Sequence, residues 1–311
     1  MKTTIIHHSA DFDGIFCREI ARQFLPDAEL IGWDWADKKI PFPSEGTVYV
    51  LDLSPDCFES LDGILLSEIS SRLIWIDHHK SAIEKWPPAL QGYRIDGVAA
   101  CRLAWQWFIN IEAKKDEDDA TKWPKLPTAV QFKNREVSEP VAVRLAGEYD
   151  IWDKRDPDAG TFQFGLRSTE LTPEKWNWML IGDAGPDQAV PKRYNTVVLS
   201  LLQDGRLLQK YQQRNDAMAM KQSFIVEWEG LKFLALNTQA KNSQAFASKD
   251  VPETGHDALL KFSFNGEVWD CSMYHAKHNT VIDLSQLAVM YGGGGHRGAC
   301  GFRTTKLPFI N

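Results

Sequence analysis

Residues 74–80 read IWIDHHK, an apolar run that stops abruptly on Asp77, His78 and His79. A short apolar run of this kind reads as a buried strand. Taken alone, the adjacent imidazoles could be a polar loop holding two of the chain's eight histidines. What decides is whether neighbouring strands end the same way. TTIIHH (3–8) is a β-type run, followed by a polar turn and DGIFCREIARQF (13–24), which sets Ile15, Phe16, Ile20 and Phe24 on one helical face. LIGW (30–33) and TVYVLDL (47–53) are strand-like, the second running out at Asp52. A helix is expected between Pro55 and Ile69, a strand over RLIWID (72–77) and a strong helix over GVAACRLAWQWFINI (97–111). Strands alternating with helices predict an α/β domain, a parallel sheet with helices on both faces. Such sheets bind ligands at the carboxyl ends of their strands. The polar clusters HHSADFD, DLSPD and DHHK each follow a predicted strand, so three strands deliver acids and imidazoles to one sheet edge.

Beyond this region, AKKDEDDATKWPKLP (113–127) is charged and proline-bearing, as an exposed insertion would be. EPVAVRLAGEYDIWD (139–153) reads as a helix leading into a further acid cluster. From Pro191 to Phe224, leucines, valines and methionines recur at helical spacing, which predicts a long connecting helix. The period then changes. SFIVEWEGLKFLAL (223–236) reads as two strands around a Glu-Gly turn, and DALLKFSFNGEVWDCSMYH (257–275) repeats the pattern around Asn265-Gly266, a strong hairpin signal. The expected organisation is a metal-binding catalytic domain over 1–190, a connecting helix over 191–222 and a smaller α+β domain over 223–311.

The totals bound the function. The chain has 311 residues, 43% hydrophobic and 25% charged, the composition of a globular protein with room for two domains. No apolar run approaches the ~20 residues that span a bilayer. The opening MKTTIIHHSADFDG turns polar after two isoleucines and does not read as a signal peptide. Five scattered cysteines (Cys17, Cys57, Cys101, Cys271 and Cys300) with no C-x-x-C predict reduced thiols in a cytoplasmic protein rather than a zinc ribbon. The net charge of −7 lies in the first two thirds, since residues 224–311 hold eight Lys/Arg against eight Asp/Glu. An acidic protein is a poor generic binder of long nucleic acid. An acidic cluster that captures cations reverses the sign locally.

The candidate site residues of the first domain are His7, Asp11 and Asp13, then Asp52, then Asp77, His78 and His79, then Asp150. Carboxylates with imidazoles and no clustered cysteine suit Mn²⁺, Mg²⁺ or Fe²⁺ better than a structural zinc site. So many ligands exceed the needs of one ion and fit a pair ~3.5–4 Å apart with one bridging carboxylate. Such a pair clamps a phosphoryl group and activates a hydroxide for phosphoester or phosphoanhydride hydrolysis.

In this arrangement the sequence resembles the DHH phosphoesterase superfamily. The motifs that carry the resemblance stand in order: HHSADFDG (7–14), LDLSPD (51–56), DHHK (77–80) and EYDIWD (148–153). YGGGGHRGACGF (291–302) is similar to the glycine-rich signature of the DHH-associated C-terminal domain. The resemblance runs from about residue 5 to residue 303, with a less recognisable centre. It implies that His7 and Asp11 hold one ion, that Asp13, His78 and Asp150 hold the other, and that Asp52 bridges them. It further implies that His79 faces the scissile phosphate while Asp77 orients an imidazole. His8 competes with His7 and Asp153 with Asp150; motif register favours His7 and Asp150. Asp13 and Asp56 could instead cap helices, and Asp156 and Asp158 read as turn residues. The loop GGGGHRG (292–298) exposes backbone N–H groups through its glycines and carries two cationic side chains. The resemblance makes Gly293, Gly294, Gly295, His296 and Arg297 substrate contacts, closing over the metal site from across an interdomain cleft. Relatives often carry an arginine in the preceding strand, whereas SMYH (272–275) offers Tyr274 and His275.

The implied activity is that of a nanoRNase or oligoribonuclease, a Mn²⁺-dependent phosphodiesterase releasing mononucleotides from short oligonucleotides. Alternatives with the same site are a phosphatase for 3′-phosphoadenosine 5′-phosphate, a cyclic-dinucleotide phosphodiesterase and a polyphosphate or pyrophosphate hydrolase. A nucleotide-binding sensor module that has lost catalysis is the non-enzymatic alternative. The expected partner is a short oligonucleotide or nucleotide, with no membrane, no stable complex with long nucleic acid and room for a homodimer.

Overall fold

Strand β1 (Thr3–His8) opens the computed structural model, which describes residues 2–35, 37–59, 66–111, 125–153, 155–182, 194–240 and 243–310. The elements that follow are α1 (Phe12–Phe24), β2 (Glu29–Trp33), β3 (Thr47–Leu51), α2 (Leu66–Arg72), β4 (Leu73–Asp77), α3 (Lys80–Lys85) and β5 (Gln91–Arg94). Then come α4 (Ala100–Asn110), α5 (Ala129–Lys133), α6 (Val141–Asp150), α7 (Pro157–Ser168), α8 (Pro173–Leu180) and the long α9 (Thr196–Ala219). The described part of the helix expected over 55–69 is a single 3₁₀ turn, Pro55–Cys57, and the start of α2. Residues 113–124 of the expected charged insertion, and 191–193 of the expected connecting helix, lie outside the described residues.

The chain forms two compact units, Met1–Leu207 and Leu208–Asn311, divided within α9. In the first unit the five strands are parallel, in the order β2-β1-β3-β4-β5. Successive strand residues point to opposite faces, so each strand feeds two cores. Ile5, Tyr49, Leu51, Ile74 and Ile76 pack against α1, α4 and the helices beyond them. Ile6, Val48, Val50, Leu73 and Trp75 pack on the opposite face with Leu53, Phe58 and Leu90. This two-sided burial is why the strands read as unbroken apolar runs. Each large side chain so buried contributes roughly 1.5–3 kcal/mol. Glycine permits two close approaches. A Cβ on Gly14, at the start of α1, would lie 2.2 Å from the carbonyl oxygen of His8. Gly165 and Gly205 let α7 and α9 cross with backbones touching, since a Cβ on either would meet a carbonyl of the other helix at 2.1 and 2.0 Å respectively.

In the second unit β6 (Phe224–Trp228), β7 (Leu231–Asn237), β8 (Ala258–Phe264), β9 (Trp269–His275), β10 (Gly294–His296) and β11 (Ala299–Thr304) form one sheet in the order β10-β11-β9-β8-β7-β6. Helix α10 (Leu284–Met290) packs its Leu284, Leu287 and Ala288 into the core of this unit. All pairings are antiparallel except β7 with β8. The β6–β7 turn places Glu229 and Gly230 at φ 51° and 75°, the positive-φ pair that matches a tight hairpin to the strand twist. In the β8–β9 turn the Asn265 side chain accepts from the backbone N–H of Glu267 and Val268, both at 3.0 Å. The fold is therefore mixed α/β, a parallel five-stranded unit followed by a smaller mixed-sheet unit. All five cysteines are free and buried. Among the described residues, no helix is long and apolar enough to cross a membrane.

Candidate metal centre

Strand order reverses direction between β1 and β3, and in doubly wound sheets the ligand crevice opens at that point, beyond the carboxyl ends of the strands. The acids and imidazoles meet there. After β1, Asp11 caps α1 by accepting the Gly14 N–H at 3.1 Å. Asp13, two residues on, is buried and accepts the N–H groups of Ala100 and Cys101, both at 2.8 Å. Asp13 thus caps α4 across the structure, and Asp11, not Asp13, caps its own helix. After β3 the chain turns sharply: Asp52 adopts φ 58°, in the left-handed region, while its N–H donates to the Ile76 carbonyl at 2.9 Å. After β4, the Asp77 Oδ1 accepts from the backbone N–H of His78 (2.7 Å) and of His79 (3.2 Å), and also meets the His79 Nδ1 at 2.7 Å. Asp77 is fully buried, and its bonds hold the DHH turn and the His79 ring.

Around His78 the geometry departs from ordinary pairing. Its Nε2 lies 3.3 Å from Asp150 Oδ2, 3.4 Å from Asp52 Oδ1 and 3.5 Å from Asp13 Oδ2. One ring nitrogen cannot serve three carboxylates as a hydrogen-bond donor. His8 repeats the pattern, its Nδ1 standing 2.9 Å from Asp11 Oδ2 and 3.4 Å from Asp52 Oδ2. Among the described residues, neither His8 Nδ1 nor Asp52 Oδ1 finds a well-formed hydrogen bond, although both are buried. Three overlapping sets emerge: His8, Asp11 and Asp52; Asp13, His78 and Asp150; and Asp52, His78 and His79. Within each set the ligand atoms lie within 4.8 Å of one another. Asp52 belongs to two of them, as a shared carboxylate would.

Charge points the same way. Burial pushes Asp13 up, and the neighbouring Asp52 carboxylate pushes it further, well above the usual carboxylate range. Asp150 is lifted to about 7, chiefly by burial. Burial also opposes ionisation of Asp52, but the His78 and His8 imidazoles outweigh it and hold that carboxyl low. Those imidazoles are themselves raised: burial disfavours their charge, yet the carboxylates carry His8 to about 11 and His78 to about 10. Four carboxylates converge, and among the described residues the neighbouring imidazoles offset their charge. A divalent cation would supply that charge and satisfy the unpaired atoms, so the donor set fits such ions. His8, Asp11 and Asp52 would hold one, Asp13, His78 and Asp150 another.

His7 is the correction. Its ring is buried, its Nδ1 bonds the His8 carbonyl at 2.8 Å, and its far edge lies 3.5 Å from where a Cβ on Gly32 would stand. It joins none of the three sets, and burial lowers its pKa. Consecutive strand residues point to opposite faces, so only one of two adjacent histidines can reach the crevice, and it is His8. Asp153 likewise stands apart, paired with Arg155, while Asp150 meets His78. Ser54, not Asp56, caps the 3₁₀ turn, and Asp56 pairs with Lys85. Asp156 caps α7 and pairs with Arg144. One neighbour was missed in the sequence: Asp34, whose Oδ1 lies 3.5 Å from His8 Nε2. It directly follows β2, and the strand-end rule that found the other acids would have found it.

The glycine-rich stretch also differs from expectation. Gly294, Gly295 and His296 form β10, an edge strand paired with Gly301, Cys300 and Ala299. Gly293 is needed for packing, since a Cβ there would lie 2.0 Å from the Gly301 carbonyl oxygen. The Arg297 guanidinium donates to the Val281 carbonyl, and its own carbonyl accepts from Leu284. The segment is thus one arm of a hairpin, with β10 at the edge of the sheet. His275 lies beneath it and meets the Ile282 carbonyl at 2.6 Å through Nε2.

A doubly wound sheet with a His/Asp centre at its switch point defines the class of the first unit. The fold is that of a DHH domain. The DHH domain of a member of a family of ribosomal proteins is similar over 96% of this chain and 82% of its own, at 13% identity and a TM-score of 0.52. Weaker likenesses are to a RecJ exonuclease bound to manganese (13% identity, 97% of this chain, 85% of that one, TM-score 0.48) and to the pGpG-specific phosphodiesterase PggH of Vibrio cholerae (12%, 98%, 94%, TM-score 0.44). No protein-family profile and no curated protein matches the chain.

Proposed function

We propose that this protein is a metal-dependent phosphoesterase of the DHH superfamily that hydrolyses short oligonucleotides to mononucleotides. The observation that carries the reading is the single His78 nitrogen set among three carboxylates, with Asp52 common to the His8 side and the His78 side. Bound at these residues, a pair of divalent cations supplies the positive charge and activated water that phosphoester hydrolysis needs. Mn²⁺ is the proposed ion, on the hardness of the carboxylate-rich donor set. The chain's own residues do the rest. Asp77 anchors the DHH turn through two backbone N–H groups and sets the His79 imidazole, which would face the scissile phosphate and offset its developing charge. Asp13 ties the centre to α4, so the carboxylates are held before substrate arrives. Short strands are favoured because the chain, at net charge −7, lacks the basic excess that long nucleic acid requires. Substrate contacts by Gly293, Gly294, Gly295, His296 and Arg297 belong to the same proposal, on motif resemblance.

The deciding assay offers di- to pentanucleotides, cyclic dinucleotides, 3′-phosphoadenosine 5′-phosphate and polyphosphate, each with Mn²⁺ and with EDTA. Mononucleotide release from the short oligomers with Mn²⁺ only, lost in Asp52→Ala, is the expected result. Intact dinucleotides and short oligomers after excess enzyme and Mn²⁺ would sink the reading.

A further inference from the structure

Outside the centre, among the described residues, one more group brings three ligand-type side chains together. The crossover joining parallel strands β7 and β8 carries Asp250 and His256 on either side of a 3₁₀ turn, Pro252–Thr254. His278 comes from the turn that follows β9. One ligand atom from each lies within 4.8 Å of the others. We propose that Asp250, His256 and His278 form a Zn²⁺ site in the second unit, independent of the function assigned to the first.

The geometry suits the ion. His256 Nε2 and Asp250 Oδ1 stand 3.2 Å apart. Two ligands about 2.0 Å from one tetrahedral ion are separated by about 3.3 Å. Asp250 and His256 are 5% and 3% exposed, so the site has a fixed floor, while His278 is exposed and leaves an open side. The carboxylate is positioned by the Lys277 N–H, which reaches both its oxygens at 3.2 and 3.3 Å. A carboxylate has four lone pairs, so these bonds leave it able to coordinate. His278 meets the His256 carbonyl through Nε2 at 2.8 Å, which leaves its other nitrogen with the lone pair and fixes the ring, as backbone carbonyls do for metal-bound imidazoles. The two rings stand edge to face, centroids 4.9 Å apart and planes 80° apart, rather than stacked. The His256 Nδ1 is buried and has no hydrogen-bond partner among the described residues, while Nε2 faces Asp250. Two imidazoles and one carboxylate select zinc over the harder ions that suit the carboxylate-rich centre.

The site has a consequence for the glycine-rich hairpin. An ion there would tie the β7–β8 crossover to the segment 276–283, and that segment receives the Arg297 guanidinium on the Val281 carbonyl. Metal at one place would thus steady the backbone that positions Arg297 at another.

The test uses the full-length protein dialysed against Zn²⁺ and assayed for retained metal, alongside His278→Ala and His278→Gln. Because His278 is exposed, both variants should keep the wild-type circular dichroism. The wild type should retain one more equivalent of Zn²⁺ than either variant. With Co²⁺ as probe, the visible absorption of one tetrahedral site should vanish in both. Equal Zn²⁺ retention and equal Co²⁺ spectra in all three proteins would overturn the proposal.

Discussion

The molecule holds two Asp/His clusters that differ less in composition than in what carries them. In the first unit the members sit on a helix, at a strand's carboxyl end or within a few residues of one, and main-chain groups hold several of them. Asp13 grips the N-terminus of α4, Asp77 grips the turn that follows it, and Asp52 is set by a left-handed backbone. In the second unit Asp250, His256 and His278 all stand on connections between strands, with Asp250 held by the Lys277 N–H and His278 by the His256 carbonyl. Rigid elements hold a catalytic geometry more closely than loops do. On the functions proposed above, the first cluster would serve chemistry and the second metal binding.

The sharpest way to break this contrast is to exchange the two adjacent histidines of β1. His8→Ala is expected to lower phosphoesterase activity by on the order of 10²–10³-fold. His7→Ala, measured beside it by initial rates at saturating Mn²⁺, should cost less activity and show its effect as lost thermal stability. Equal activity losses would put His7 back in the centre. Next in size is the main-chain anchor. Asp77→Asn keeps the side chain's shape and weakens its grip on His79, so metal affinity or activity should fall by about 10–100-fold. An unchanged Mn²⁺ titration curve would show that the DHH turn holds itself. The smallest effect belongs to Asp153, which pairs with Arg155 beside the cluster without joining it. Asp153→Ala should leave activity unaltered and change the stability by about 0–1 kcal/mol. A large activity loss would extend the centre beyond Asp150.

Much of the first unit was legible because its signals are local. The runs ending at His8, Asp52 and Asp77 are strands in the structure, and α1, α4 and α6 follow the helical periods read for them. What the sequence did not reveal depends on partners far along the chain. The choice between His7 and His8 turns on which face of β1 meets the crevice, and two adjacent histidines carry no sign of it. Strand β5 was missed because QGYR is short and its Gly92 is explained only by Trp75, whose carbonyl oxygen would lie 1.9 Å from a Cβ there. Asp13 could not be assigned to the N-terminus of α4 without knowing that α1 and α4 are neighbours. Gly294 and Gly295 were read as part of a loop because their strand pairing is dictated by β11, not by their own propensity.

The backbone at Asp52 sets what evolution or an engineer could place there. A φ of 58° is tolerated by glycine, and among residues with side chains chiefly by asparagine and aspartate. Of the residues that adopt this backbone most readily, glycine offers no donor atom, and asparagine and histidine no negative charge, so aspartate combines the conformation with an anionic ligand. On the proposed function, Asp52→Asn would remove the shared charge while suiting the same backbone, the single conservative change expected to give a folded but inactive protein.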